Sequence, residues 1–200
     1  MNKYISFFTA AALIVAAAAI MSCKNGKDKD KDNDGRKAMR VILASELISK
    51  ADAATLLGGS VTKEENTGRS FTDQMSYKTD KYDFNISLIQ EALYDKNSSF
   101  EANLLKNGWA SYMKEMENAY VSYPKSVING GNAYLQPGIG FGGWLLHVFY
   151  GDYYILLYLA NKAVLGPTPD DSPAEITWKQ TKIKEAASLA LDRLKEIIKK

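Results

Sequence analysis

The sequence predicts an α+β domain: an antiparallel sheet of about six to seven strands packed with three helices, in the order α-βββ-α-ββββ-α. Three observations carry that expectation. "YDFNISLIQ" (82–90) alternates Tyr82, Phe84, Ile86 and Leu88 with Asp83, Asn85 and Ser87, the period of two of a half-buried antiparallel strand. "WLLHVFY" and "YYILLYLA" are apolar on both sides and are joined by Gly151-Asp152, a two-residue hairpin connection. The last 29 residues, from Ser172 to Lys200, repeat apolar side chains at helical spacing.

Taken in order, "SKADAATLLGG" opens the domain as a helix. Ser49 is its N-cap, Asp52 completes a capping box, and Gly58-Gly59 stop it. A short strand is expected near Val61, then "TDQMSYKT" and "YDFNISLIQ" separated by Asp80-Lys81. Ser98-x-x-Glu101 starts the second helix, whose Phe100, Leu104, Leu105, Trp109, Met113 and Met116 keep helical spacing. "YVSYP" (120–124) reads as a strand, "NGGN" (129–132) as a turn, and "AYLQP" as the next strand. The paired strands that follow are apolar on both faces, so they belong in the middle of the sheet beneath helices. A Pro-rich loop, "GPTPDDSP", leads to the last helix. There Ser172 caps, Pro173 takes the first helical position and Glu175 closes a capping box. Ile176, Ile183, Ala187, Ala190, Leu191, Leu194 and Ile198 form its buried stripe, and Lys199-Lys200 complement the C-terminal dipole. The two halves share a helix-then-strands layout without a sequence repeat.

The first 40 residues belong to something else. Residues 1–22 have a positive start at Lys3 and an uncharged, mostly apolar run from Ile5 to Met21, as a signal peptide does. Ile20-Met21-Ser22-Cys23 resembles the lipobox of bacterial lipoprotein precursors. That resemblance implies diacylglycerol on the Cys23 thiol, cleavage before Cys23 and a further acyl chain on the new α-amine. The lipid bilayer is then the first expected partner, because two or three chains anchor durably where one holds marginally. Cys23 is the only cysteine, so the domain is held by its core and not by a disulfide.

Residues 23–40 form a charged tether after the acylated Cys23. Seven basic residues stand against four Asp between Lys24 and Arg40, with almost nothing apolar to offset the entropy of ordering. "DKDNDG" (30–35) fits the opening positions of an EF-hand loop, but Val41 stands where the bidentate Glu belongs and lysines interleave the acids. No metal is expected. Lys24, not Asp, follows Cys23, which by resemblance to the enteric sorting pattern implies the outer membrane, and the charged stretch after Cys23 resembles surface-export signals of some other Gram-negative lineages. The localisation expected is therefore the bacterial envelope, at the outer membrane or cell surface in preference to the inner membrane.

The formal charge of +2 belongs to the leader and the tether: Lys3 accounts for one and residues 24–40 for three, which leaves 41–200 near −2. A domain of that charge has no basic footprint for nucleic acid. Gly138-Ile139-Gly140-Phe141-Gly142-Gly143 satisfies G-x-G-x-x-G, yet a strand follows it where the dinucleotide fingerprint needs a helix. Ser-x-x-Lys occurs at Ser60, Ser111 and Ser122 without the companion motifs of acyl transfer. His147, the single histidine, lies in an apolar strand on the side of Leu145 and Phe149. No cofactor and no catalytic residue are expected.

The feature with most to offer is aromatic. Tyr120, Tyr123, Tyr134, Phe141, Trp144, Phe149, Tyr150, Tyr153, Tyr154 and Tyr158 crowd into fewer than 40 residues. Aromatics fill cores; they also line clefts for a glycan, a peptide or a small amphiphile. On the second reading Tyr120, Tyr134 and Trp144 form the rim.

"SKADAATLLGGSV", a Tyr-bearing strand at Tyr77, "PGIGFGG" before paired strands, and a closing Ala/Leu helix together resemble a broad group of bacterial lipoproteins of unknown function. The extracytoplasmic sensor domains of certain mycobacterial serine/threonine kinases are similar. The likeness spans nearly all of 45–200. It implies the fold and a role in ligand sensing or envelope interaction, and it offers no catalytic residues. Those domains often carry a Cys beside the strand Tyr; here the residues are Met75-Ser76-Tyr77, so no disulfide-dependent feature carries over. The function expected is a membrane-anchored, non-catalytic module that binds a small ligand, a glycan or an envelope protein. The alternatives are a carboxylate-based hydrolase at an aromatic cleft and a purely structural protein.

Overall fold

The structure is a computed structural model and describes residues 40–68, 70–95, 98–138, 143–162 and 171–199. The chain divides into two units, Met1–Ala38 and Met39–Lys200, and the description concerns the second. The expected signal peptide, Cys23 and the tether up to residue 39 lie outside the described residues, as do 139–142 of the glycine-rich stretch and 163–170 of the Pro-rich loop.

The α+β expectation holds. In chain order the elements are α1 (Ala44–Leu47), α2 (Lys50–Leu57), β1 (Lys63–Asn66), β2 (Thr72–Lys78) and β3 (Tyr82–Ile89). A 3-10 turn (Glu91–Leu93), α3 (Ser99–Leu104) and α4 (Trp109–Asn118) follow. The second half is β4 (Lys125–Ile128), β5 (Gly131–Pro137), β6 (Trp144–Tyr150), β7 (Tyr153–Asn161) and α5 (Pro173–Ile198). All strands pair antiparallel in one seven-stranded sheet of order β1-β2-β3-β7-β6-β5-β4. Two hairpin meanders, β1–β3 and β4–β7, thus join through a β3–β7 pair, which puts β7 in the middle as its two-sided apolarity requires.

Local chemistry explains most boundaries. Ser49 and Asp52 cap α2 reciprocally, Ser49 N–H donating to Asp52 Oδ2 at 2.8 Å, and Gly58 leaves the helix at φ 65°. Asn129-Gly130 turns β4 into β5 with φ of 44° and 82°, the paired positive values of a type I′ hairpin turn. Four expectations need correction. The second helix is two, α3 and α4, because Gly108 at φ 84° breaks the run, and Phe100 is 57% exposed instead of buried. "YVSYP" is a turn: Tyr120 and Tyr123 N–H donate back to Glu117 and Tyr120 carbonyls, and the strand starts only after Pro124. The strand expected near Val61 begins at Lys63, and Val61 packs on the core instead. In α5, Ser172 accepts from Glu175 N–H, but the Glu175 carboxylate turns to the Tyr82 hydroxyl and leaves the capping box open; Ile198 is exposed. The short α1 was not expected.

The pleat sorts side chains onto two faces. On one, Met75, Tyr77, Phe84, Ile86, Leu88, Leu146, Val148, Ile155, Leu157 and Leu159 pack against α1, α2 and α5, where Leu47, Ala53, Ile183, Ala187, Leu191 and Leu194 are buried. Full burial of each such aliphatic side chain is favourable by about 1.5–3 kcal/mol, so this layer dominates stability. On the other face a smaller cluster joins Phe71, Ile89, Tyr134, Phe149 and Tyr154 to Trp109 and Met113 of α4. It occupies the end of the sheet where β3 finishes. The other end of that face carries Ser76, Asp83, Asn85, Gln136 and Tyr158.

Polar clasps fix where the chain enters the domain. The buried Gln90 amide accepts from Ile42 N–H at 2.9 Å and donates to its carbonyl at 2.6 Å. Asp73 accepts from Ala44 N–H, the Tyr77 hydroxyl donates to the Ile48 carbonyl, and Arg193 donates to the Leu47 carbonyl and forks onto Asp52. Arg40 therefore stands at the C-terminal end of β3. Among the described residues no helix is long and apolar enough to cross a membrane.

The Arg193 fork is the chief reason the Asp52 carboxyl is held down to about 2. An unfolded Asp protonates near pH 3.9. The pair therefore stabilises the fold fully above that pH, and the contribution disappears as the pH falls towards 2. Asp52→Asn should be less stable than wild type in urea unfolding at pH 7, with the gap narrowing between about pH 4 and 2; a gap independent of pH would refute the pairing.

Candidate functional site

Of the aromatic crowd, Tyr134, Phe149 and Tyr154 are buried core, and Phe141 lies outside the described residues. Tyr134 is 2% exposed and its hydroxyl donates to Glu117 Oε1 at 2.8 Å; the same oxygen accepts from Asn132 Nδ2 at 2.8 Å. Burial first, and then the Glu117 bond, push the Tyr134 phenol up to about 12. Phe149 and Tyr154 stack with centroids 4.5 Å apart and planes 8° from parallel. Tyr120, half-buried, lies over the His147 ring at 3.7 Å and closes the cluster from outside. Of the three rim residues expected from sequence, Tyr120 and Tyr134 share the neighbour Phe149, whereas Trp144 points to the opposite face and packs on the larger core. The structure does not bring the three together.

His147 is sealed in this cluster, 3% exposed. Gln136 Oε1, 2.9 Å from Nε2, can only accept, so the ring proton sits on Nε2, and Nδ1 accepts from the Tyr154 hydroxyl at 2.7 Å. Burial pulls its pKa down to about 3, so the imidazole is neutral at any physiological pH and both its nitrogens are occupied. The glycine-rich stretch is a strand connection: Gly138 N–H donates to the Gly143 carbonyl at 2.6 Å and β6 follows. With a strand there in place of a helix N-terminus, the dinucleotide geometry is not met. Gly143 is required for packing, since a Cβ would come within 2.6 Å of the Tyr158 ring. No group of three potential metal-ligating side chains occurs among the described residues.

A concave site exists elsewhere, at the opposite end of the sheet. β3 starts at Tyr82, β7 finishes at Asn161 directly opposite it, and α5 starts above them. Between them lies a cleft of about 610 Å³. Its apolar wall is Tyr82 and Trp178, stacked with centroids 4.6 Å apart and planes 24° from parallel, each ring half-buried. Its polar walls are Asp80, Lys81, Asn161, Lys162, Ser172 and Glu175. Lys162 N–H donates to the Lys81 carbonyl at 2.7 Å, which ties the two strand ends into one floor. Glu175 reaches the Tyr82 hydroxyl at 3.5 Å, and burial followed by this carboxylate raises the Tyr82 pKa.

Behind the cleft, Lys179 is fully buried and its ammonium lies 2.8 and 2.7 Å from the Asp171 carboxylate oxygens. Asn161 Nδ2 also donates to Asp171, at 2.8 Å. This pair clamps the start of α5 to the end of β7 and so fixes Trp178 over Tyr82. Removing one partner of a buried pair typically costs about 3–5 kcal/mol, because the other charge is left uncompensated. β3 runs the eight residues from Tyr82 to Ile89, roughly 23 Å end to end at 3.3 Å per residue. The cleft is thus at the far end of the sheet from the point where Arg40 enters.

Comparison with protein-family models, curated proteins and solved structures returns no match. The functional reading rests on the chain's own geometry.

Sequence reasoning missed Tyr82 and Trp178 as a site. The available signal was a Trp on α5 outside the expected buried stripe. Because His147 is the only histidine, its side chain gives a single imidazole resonance, which should not titrate between pH 5 and 8 in NMR. An unfolded His protonates near pH 6.5, so folding loses stability as the pH falls from there towards 3. A midpoint near 6.5 in the folded protein would overturn the sealed position.

Proposed function

We propose that this is a lipid-anchored binding module of the bacterial envelope, attached through acyl chains on Cys23 and holding a ligand in the Tyr82–Trp178 cleft. The observation that carries the site is the aromatic pair: two half-buried rings stacked in a cleft with polar walls, at the end of the sheet opposite to chain entry. Both rings rest on the larger core on one side and line the cleft with the remainder, and aromatic area of this kind ordinarily meets a partner. The anchoring reading is supported by the lipobox match at Cys23 and by the charged run between Lys24 and Arg40. The residue after Cys23 and that charged run favour the outer membrane or the cell surface.

The reading is of a non-catalytic protein. The one imidazole is shut in the core with both nitrogens bonded, and Asp171 behind the cleft is bonded to Lys179 and Asn161. These are structural assignments for the imidazole and for Asp171, and of the two carboxylates that line the cleft Glu175 accepts from the Tyr82 hydroxyl.

Two measurements test the two halves of the proposal. Cells fed an alkyne-tagged fatty acid should label the wild-type protein and fail to label Cys23→Ala; an unlabelled wild type would contradict the anchor. Native mass spectrometry of the full lipoprotein, extracted gently from its host, should show a reproducible added mass that is lost in Trp178→Ala. An added mass retained equally by that variant would place the ligand elsewhere.

A further inference from the structure

Resting on the cleft as the binding site, we propose that its ligand is a saccharide, bound with a sugar ring against the Tyr82–Trp178 pair. The composition of the walls decides the class. Lys81 and Lys162 are offset by Asp80 and Glu175, so the cleft has no net formal charge. A nucleotide or another phosphate ester needs a positive field or a nest of N–H donors, and an acyl chain needs dry apolar walls. The walls are not dry, and for a phosphate the N–H donors at the start of α5 are opposed by the Asp80 and Glu175 carboxylates beside them. What the cleft offers is the outer side and edges of a stacked aromatic pair and, around them, donors and acceptors: ammonium groups, carboxylates and the Ser172 hydroxyl.

That combination matches the two-sided chemistry of a pyranose. The axial C–H groups of the ring present an apolar face that packs on aromatic carbon, and the equatorial hydroxyls, each both donor and acceptor, find partners of either sign. Carboxylates of Asp80 and Glu175 accept from hydroxyls; Lys81 and Lys162 donate to them. The Lys179–Asp171 pair acts one layer back, as a positioning element that holds Trp178 in place.

The test uses the isotope-labelled full chain in detergent micelles, the Trp178 indole N–H as reporter, and an aqueous extract of host envelopes as probe. The extract should shift that resonance. Periodate, which cleaves vicinal diols, should abolish the effect, while protease and phosphatase treatment should leave it. Dividing the extract by dialysis separates the sources: activity in the retained fraction identifies an envelope glycan, and activity in the dialysate a free sugar. Trp178→Phe should keep part of the affinity and Lys81→Ala should weaken it about tenfold, or about 1.4 kcal/mol. A Trp178 shift that survives periodate overturns the saccharide assignment and leaves the binding site standing. No shift from any extract, together with a bare native mass, overturns both.

Discussion

The pairing of β3 with β7 is the interaction on which the rest of the molecule depends. Eight residue pairs, from Tyr82↔Asn161 to Ile89↔Tyr154, join two meanders that are otherwise built from local hairpins. This is the only strand pair in the described sheet that closes a long stretch of chain, so its loop entropy is the largest the fold has to overcome. Burial on both faces offsets that cost. Phe84, Ile86, Leu88, Ile155, Leu157 and Leu159 meet the helices on one side, and Ile89 and Tyr154 meet Trp109 and Met113 on the other. Once this register is set, Tyr82 and Asn161 necessarily finish at the same end, and the start of α5 completes the cleft over them.

The two ends of the sheet have been put to different uses. Near the end where β3 finishes, Gln90, Asp73 and Arg193 hold the incoming chain, and the aromatic cluster fills the opposite face of the sheet. At the other end, charged and polar groups surround two stacked rings, and a buried ion pair is spent on holding the helix that carries one of them. A buried pair is a poor source of net stability compared with apolar packing. Its value here is orientation: Lys179 ties Trp178 to the end of β7 through Asp171 and Asn161. The cleft therefore lies at the end of the sheet opposite to Arg40.

Much of the architecture was legible because the side-chain period is a backbone property. The alternation in 82–90, the Gly151-Asp152 and Asn129-Gly130 turns, and the Ser49/Asp52 cap each report local geometry, and each holds. What failed depended on tertiary competition. The run from Phe100 to Met116 keeps helical spacing, but a positive-φ glycine at 108 overrides it. The aromatic density of 120–158 could not distinguish cleft from core, since strands favour the same residues for both purposes. Register decided: Tyr134 and Tyr154 face α4, and Trp144 faces the other way. The cleft was illegible because Tyr82, Asn161 and Trp178 come from three separate elements, and only the β3–β7 pairing brings them together. The burial of Lys179 was equally illegible, because it depends on Asp171 lying beside it in the fold.

The central claim is that the end of the domain distal to chain entry is the end that engages a ligand. Site-specific photo-crosslinking in living host cells tests it directly. A benzophenone side chain would replace exposed Thr177, next to Trp178 on α5, in one strain and exposed Lys199, at the far end of α5, in another. The account predicts an adduct from position 177 that is reduced by Trp178→Ala, and none from position 199. Adducts from position 199 alone would contradict it, and would turn the Tyr82–Trp178 stack into packing at the edge of the core.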